Sequence, residues 1–589
     1  MTPAAGAPPL VARVVPNVTG IDKAFDYLVP DGLRDQVRVG TVVRVPLAGR
    51  RVGGWVAALG EPDGTVAADR MKPIAKVTGA GPAPDVVDLA RWAAHRWAGR
   101  LRAVLSSASP HRAITAIPPP RWTVPDAPPP EVVDRLDPLL SAGGGVVRLA
   151  PNSDVLDLIL QVLVHGPLGV VIPAIDDARH LAARLRAAGR TVAVLPRDWA
   201  AALGGVDVVV GNRAAVWGPM TGCRAIVVVD EHDGALQEER NPTWHARDVA
   251  VERARRLGIA CVLVSPVPTL DALAWAGDRV RVPARVAERG GWSIIDVVDR
   301  GDEPPWQTSL VSSRLIHHLR DPASRVVCVL NVTGRARRLA CRACHELTVC
   351  ESCASAVHQR ADAKLVCARC GSVRPPVCQS CGSTALTTLR PGVSRLRQEL
   401  EAAAGRPVVE VTGATADGEL PEAGVYVGTE AVLHRVRHAD VVTFLDFDAE
   451  LLAPRFRAAE QALALLVRAS RLVGPRSGGG RILVQTRLPH HEVLDAALLA
   501  DPGRLVEAER ERRAALRFPP FGAIATVSGT GADEVAERLR ATRPELDVAI
   551  GTDRVLVRAV GWDVLADGLA AIERPPGARL RVEVDPPRI

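Results

Sequence analysis

"RVVCVLNVTGRARRLACRACHELTVCESC" occupies residues 325–353. Its opening is a β-branched apolar run that reads as a buried strand. Within a dozen residues the texture changes to paired cysteines, and a second such stretch, "CARCGSVRPPVCQSC", follows at residues 367–381. Eight of the 11 cysteines lie in this one segment: Cys341, Cys344, Cys350, Cys353, Cys367, Cys370, Cys378 and Cys381. Their spacing is C-x2-C-x5-C-x2-C-x13-C-x2-C-x7-C-x2-C.

Each C-x2-C turn presents two thiolates to one ion. Zn²⁺ takes four ligands tetrahedrally, with sulfur at about 2.3 Å, so eight cysteines fill two closed sites. Closed sites leave no position for water or substrate, so two structural Zn²⁺ per chain are expected. Four regularly spaced pairs argue against thiols that merely pack, and the spacings differ from those of iron–sulfur ligation. Spacing alone does not say which pairs share an ion. His345 is a further candidate donor, expected to be exposed once eight thiolates are available. Gly371 and Gly382 follow the second cysteine of their pairs, where a tight knuckle favours glycine. Cys223, Cys261 and Cys328 sit in apolar runs and read as core thiols.

Upstream, from about residue 145, strand-like runs ("GVVRLAP", "LGVVIPAI", "TVAVLP", "VDVVVGN", "CRAIVVVDEHD", "IACVLVSPVP") alternate with helical stretches. A second series, "RVVCVLNV", "RPVVEVTG", "GVYVGTE", "ADVVTFLDFD" and "GRILVQT", begins after about residue 326. Such alternation predicts parallel sheets covered by helices, here two in tandem. The cysteine segment is then an insertion after the second lobe's first strand. Residues 11–55 instead show short runs punctuated by Gly, Pro and Asp, the signature of a small β-domain. One helical stretch is expected over residues 85–105, and "IPPPRWTVPDAPPP" (residues 117–130) is a stiff, extended connection.

At 589 residues the chain needs several cores. Its 47% hydrophobic and 24% charged composition is that of a soluble globular protein, and no apolar run approaches the roughly 20 residues that span a bilayer. The start, "MTPAAGAPPL", lacks a basic region and an apolar core, so a cytoplasmic, reducing setting is expected. A net charge of +7 permits a polyanion partner. Lysine is confined to Lys23, Lys72, Lys76 and Lys364, every other basic residue being arginine.

Two α/β lobes with an eight-cysteine insert in the second resemble the PriA family of bacterial primosomal proteins, in particular its actinobacterial type, which restarts stalled replication forks. "FDYLVPDGL" (residues 25–33) followed by "VGTVVRVPLAG" is similar to that family's domain for the 3′ end of a DNA strand. "VVVGNRAAVWGP" (208–219), "VVVDEHD" with "WHARDVA" (244–250), "FRAAEQALALL" and "RFPPFG" match later segments in order. The resemblance implies an α/β multidomain chain with two RecA-like helicase lobes, an inserted zinc module and a small α+β C-terminal domain. It divides the chain into a disordered start (1–10), a 3′-DNA-end-binding-like domain (11–110), a proline-rich linker standing for a reduced winged helix (111–144), lobe 1 (145–290), lobe 2 (291–500, with the zinc insert at 340–390) and the C-terminal domain (501–589). It implies nested metal sites, Cys341, Cys344, Cys378 and Cys381 for one ion and Cys350, Cys353, Cys367 and Cys370 for the other. The strand-end pocket falls on Phe25, Asp26, Gly49 and Lys72, where an aromatic face stacks the terminal base and a carboxylate accepts from the 3′-hydroxyl.

The fuel-consuming parts depart from the pattern. A phosphate loop needs G-x-x-x-x-G-K-[ST], but the strand "GVVRL" is followed by "APNSDVLDL", without glycine or lysine and with Asp154 where phosphates would lie. The family's D-E-E-H is Asp230-Glu231-His232, its "GSATPS" is "VSPVPT", its "GTQM" strand end reads "GTEAVLHRV", and its paired arginines become "ASRLVGPR", leaving Arg471 with Arg476 displaced. Degenerate lobes without ATP hydrolysis are therefore expected, no residue being assigned a catalytic role. The expected function is recognition of abandoned forks, primosome assembly and reloading of the replicative helicase; the alternative is an active ATP-dependent 3′-to-5′ helicase with a non-standard nucleotide site. Implied partners are forked DNA with a 3′ end, other primosome proteins, the replicative helicase and its loader, and single-strand-binding protein, with no membrane and a nucleoid-associated location.

Overall fold

Alternation of inward and outward side chains over residues 11–79 builds a five-stranded antiparallel sheet of order β2-β1-β4-β3-β5: β1 (Val11–Pro16), β2 (Phe25–Leu28), β3 (Val42–Leu47), β4 (Arg50–Gly60) and β5 (Lys76–Gly79). The computed structural model describes residues 9–61, 71–123, 136–301, 309–330, 339–344, 346–360, 364–367, 369–388, 393–411, 420–551, 554–572 and 579–587. Residues 1–8, most of the expected disordered start, and His345 lie outside the described residues. Ala12, Val14, Tyr27, Val43, Val45 and Val56 form the inner face of the first sheet. The period of two turns Arg13, Asp26 and Arg44 outward. The single helix expected over 85–105 is two, Pro84–Arg96 and Leu101–Ser107. Ala98 between them is left-handed (φ 45°), and Gly99 lies so close to Pro242 that a side chain would collide.

Lobe 1 is a seven-stranded sheet, parallel throughout, of order β12-β6-β11-β10-β7-β9-β8. Its strands are β6 (Gly144–Arg148), β7 (Leu168–Val171), β8 (Val192–Val194), β9 (Val208–Gly211), β10 (Ala225–Val229), β11 (Ala260–Ser265) and β12 (Val280–Arg281). Strands buried on both faces read as unbroken Val/Ile runs, which is why six of them stood out in the sequence. The proline-rich stretch docks on this lobe: Thr123 donates to Asp207 from its backbone N–H (2.8 Å) and Oγ1 (2.7 Å), and the Trp122 ring lies against Gly205 and Gly222.

Lobe 2 is a six-stranded parallel sheet of order β13-β23-β22-β14-β21-β20: β13 (Ile294–Asp299), β14 (Val326–Val329), β20 (Val408–Val411), β21 (Val425–Gly428), β22 (Val441–Phe444) and β23 (Arg481–Thr486). Between β14 and β20 lies the insert, with β15 (Leu339–Cys341) paired to β19 (Leu386–Thr388), and β16 (Val357–Gln359), β17 (Leu365–Cys367) and β18 (Val373–Arg374) in a second small sheet. The insertion thus follows the lobe's second strand rather than its first. Edge strand β13, "IIDVVD", has acidic residues among its apolar ones and is only partly buried, so it lacks the signal of a central strand.

The C-terminal unit is an antiparallel sheet, β25-β26-β24-β27, with helices Ala532–Thr542 and Trp562–Ala570; its strands are β24 (Ala523–Gly529), β25 (Asp547–Ile550), β26 (Val555–Ala559) and β27 (Leu580–Val584). It is not a loose appendage. Gln237, Asn241 and Thr243 of lobe 1 donate to the carbonyls of Asp585, Val582 and Val584 at 2.7, 2.6 and 2.9 Å, covering the β27 edge. Arg96 of the N-terminal domain lies 3.8 Å above the Trp562 ring. At the junction of both lobes with the C-terminal unit, Arg457 pairs with Asp271 (3.0 Å) and Asp585 (2.9 Å), and Arg513 with Glu460 (2.6 Å) and Glu509 (3.0 Å).

Candidate functional site

The insert gathers its sulfur into two groups. Cys341, Cys344, Cys378 and Cys381 lie with all four Sγ atoms within 4.8 Å of one another, and so do Cys350, Cys353, Cys367 and Cys370. The nearest Sγ–Sγ separations are 3.4–3.5 Å in both. Bonds of ~2.3 Å to a tetrahedral Zn²⁺ require edges of about 3.8 Å, so both quartets fit that ion. The pairing is the nested one implied by the resemblance. Three of the four knuckles are closed by backbone hydrogen bonds: Gly371 N–H donates to the Cys367 carbonyl (3.0 Å), Gly382 N–H to that of Cys378 (2.9 Å) and Ala354 N–H to that of Cys350 (2.9 Å). All three are left-handed, with φ of 76°, 74° and 55°, so glycine stands where the turn demands it twice and alanine once. The Cys367 thiol is held down to about 5, first by the hydrogen bond from Cys353. Cys261 and Cys328, the expected core thiols, are buried, and burial raises Cys261 to about 12; Cys223 is half-buried and likewise raised to about 12.

The insert docks on lobe 2. Ala356 N–H and Ser355 Oγ both donate to the Leu452 carbonyl (2.8 and 3.1 Å), and Leu347 and Ala356 pack against the Leu452 side chain. Arg369, inside the second knuckle pair, reaches the Phe456 carbonyl at 3.4 Å.

In the N-terminal domain the structure places the four expected strand-end residues around β2 and the β3–β4 turn. Phe25 and Asp26 are adjacent on β2 and point to opposite faces, Phe25 packing half-buried against the core of the first sheet. Asp26 accepts two hydrogen bonds from Arg13, Nε–Oδ1 2.9 Å and a terminal nitrogen to Oδ2 3.0 Å. Lys72 is exposed, and its carbonyl accepts from Leu28 N–H at 3.1 Å, which seats it beside the end of β2. Gly49 stands in the β3–β4 turn with φ +77° and open space where a Cβ would be. Arg13 was not legible from sequence: its relation to Asp26 exists only through the β1–β2 register, which pairs Arg13 with Asp26.

The cleft between the lobes holds the third group. The turn after β6 ends at Asp154, whose carboxylate caps the helix Val155–Leu163 by accepting from Leu156 N–H (3.0 Å) and pairs with Arg184. A helix N-terminus that would attract phosphate already holds its own anion. Asn152 Nδ2 donates to the Gly291 carbonyl (2.9 Å) and to the Ser470 carbonyl (3.2 Å), crossing to lobe 2. Arg471 donates from Nε to the Pro151 carbonyl (3.0 Å) and forks onto both oxygens of Asp230 at 2.6 Å. Burial alone would raise the Asp230 carboxyl, but Arg471 outweighs it and holds it at about 2. Arg468 pairs with Asp233 beside it. Glu231 is fully buried, accepting from Thr269 N–H (2.7 Å) and Oγ1 (2.8 Å), and burial pushes it up to about 7. His232 Nδ1 meets Ser265 Oγ at 2.8 Å. Every one of these groups has a protein partner.

Residues 13–110 match the model of the 3′DNA-binding domain (3′BD) of PriA. The "probable replication restart protein PriA" of Mycobacterium tuberculosis (strain H37Rv) is 28% identical, over 96% of this chain and 91% of that protein. Its Mycobacterium leprae counterpart is 27% identical over 87% of this chain and 86% of its own length. The replication restart protein PriA of Bacillus subtilis is 28% identical over 56% of this chain, and the match spans 44% of that protein, less than half its length. Among the described residues no helix is long and apolar enough to cross a membrane.

Proposed function

We propose that this chain, which belongs to the PriA-type replication restart proteins, recognises branched DNA carrying a 3′ end and promotes restart at abandoned forks without hydrolysing ATP. The N-terminal domain holds the strand end. Asp26 accepts from the 3′-hydroxyl, Lys72 stands beside the terminal nucleotide, Gly49 lets the backbone approach closely, and Phe25 supports β2 from the half-buried inner face. Arg13 offsets the Asp26 charge, which would otherwise repel the neighbouring phosphates. The two zinc-clamped knuckle pairs form a rigid docking module for the proteins loaded at the fork, the replicative helicase with its loader and other primosome components, and for single-strand-binding protein.

The observation that carries the non-hydrolysing reading is Arg471. One guanidinium occupies Asp230, the carboxylate that would hold Mg²⁺, and the carbonyl of Pro151 in the turn that would cradle phosphate. A motor needs that arginine to meet a nucleotide; here it latches the lobes to each other. Reloading then depends on shape recognition and protein docking, with the energy of translocation supplied by other proteins.

The test is one preparation assayed twice. Fluorescence anisotropy should show tighter binding to a fork whose 3′ end bears a hydroxyl at the branch than to one ending in 3′-phosphate. Fork DNA should stimulate no ATP turnover above background. Indifference to the 3′ end removes the strand-end assignment. DNA-stimulated turnover removes the non-hydrolysing one.

A further inference from the structure

The outer face of the first sheet carries three cations in a fixed pattern. Arg44 on β3 is directly opposite Lys76 on β5, and Arg51 on β4 is opposite Pro46, two residues along β3 from Arg44. All three are exposed. None of the three side chains has a hydrogen bond or ion pair with any described residue. They differ in this from arginines that the fold has paired, Arg148 with Glu288, Arg184 with Asp154 and Arg471 with Asp230 among them. Like charges directly across a ladder destabilise the pair, and nothing within the sheet relieves Arg44 and Lys76.

The ground between them is bare. Gly53 is the β4 residue opposite Arg44, and no atom lies within 4 Å of where its Cβ would stand. The one aromatic residue of β4, Trp55, is buried against the helices of its own domain. A single strand held for its bases needs an aromatic platform, and this face offers none. Flat ground with cations at strand spacing suits instead a chain of phosphates whose bases are turned inward.

We infer that Arg44, Arg51 and Lys76 form a contact surface for the phosphate backbone of double-stranded DNA, the duplex arm adjoining the strand end held by the same domain. The inference rests on the strand-end reading and adds the arm to it. The contacts are with charge alone and carry no base sequence.

The experiment uses the full chain and a labelled fork with a 3′-hydroxyl, with Kd followed from 50 to 200 mM KCl. Each phosphate contact contributes about 0.9 to the slope of log K against log salt. The Arg44→Gln/Arg51→Gln/Lys76→Gln variant should therefore lose roughly 2 to 3 units of slope. Its preference for 3′-hydroxyl over 3′-phosphate forks should be unchanged. The Arg44→Lys/Arg51→Lys/Lys76→Arg variant should keep the wild-type slope, and far-ultraviolet circular dichroism should match in all three proteins. An unchanged slope and a Kd within twofold in the neutral variant would overturn the inference. So would an equal loss on a single-stranded oligonucleotide with the same 3′ end, since the surface would then not be a duplex track. Failure of the wild-type protein to distinguish the two ends would remove the strand-end reading instead, and the slopes would still decide whether this face meets phosphate.

Discussion

The zinc insert and the interlobe cleft are both built from ionisable groups, yet those groups are partnered differently. In the insert, eight thiols converge in two groups of four, and no Arg or Lys pairs with them among the described residues. In the cleft, Asp230 is forked by Arg471, Asp154 by Arg184, Asp233 by Arg468, and Glu231 is closed in by Thr269. Thiols that converge on one another in fours point to an ion between them, whereas carboxylates matched to arginines point to a structural joint. Resemblance to an enzyme marks both regions alike, and only what each group touches separates them.

The comparison breaks most visibly at the metal. Cys350→Ser should lower the zinc content measured by plasma mass spectrometry from about two ions per chain to about one, because a structural site folds with its metal and three thiolates no longer close it. Retention of both ions would show that the quartets are not independent. The junction of both lobes with the C-terminal unit should instead respond as packed protein. Asp271→Ala leaves Arg457 and Arg513 short of a buried counter-charge and should cost about 3–5 kcal/mol in denaturant unfolding, with zinc content unchanged. A cost below about 1 kcal/mol would mean that this junction is a solvated rim rather than a joint. The smallest effect sharpens the insert alone. Ala354→Gly relieves a left-handed alanine at φ 55° and should slow zinc loss to a chelator, with a gain of up to about 1 kcal/mol. Faster loss would show that the alanine side chain contributes more than its strain costs.

Much of this was legible in the sequence, for identifiable reasons. Doubly buried parallel strands are written as unbroken Val and Ile, so β6 to β11 and β14 announce themselves. The cysteine spacing carried the metal centres, although the nesting came from resemblance alone. Edge strands β12 and β13 were missed because a strand covered on one side need not be apolar throughout. The helix break at Ala98 was missed because alanine rarely marks a left-handed turn. The motifs showed that the phosphate loop had lost its glycine and lysine, but not what replaced it. Arg471 meeting Pro151 and Asp230 joins residues more than 200 positions apart, and no local pattern records such a contact.

The β15–β19 ladder has a mechanical consequence. The insert's first and last strands are neighbours, Leu339 beside Thr388, so the chain is handed back about one strand spacing, ~5 Å, from where it was taken. Tension between β14 and the helix Val393–Ala404 therefore meets this short stem, whose inner end carries Cys341, before it reaches the other seven sulfurs. The clusters hang outside the force path of the lobe, like a graft on a branch.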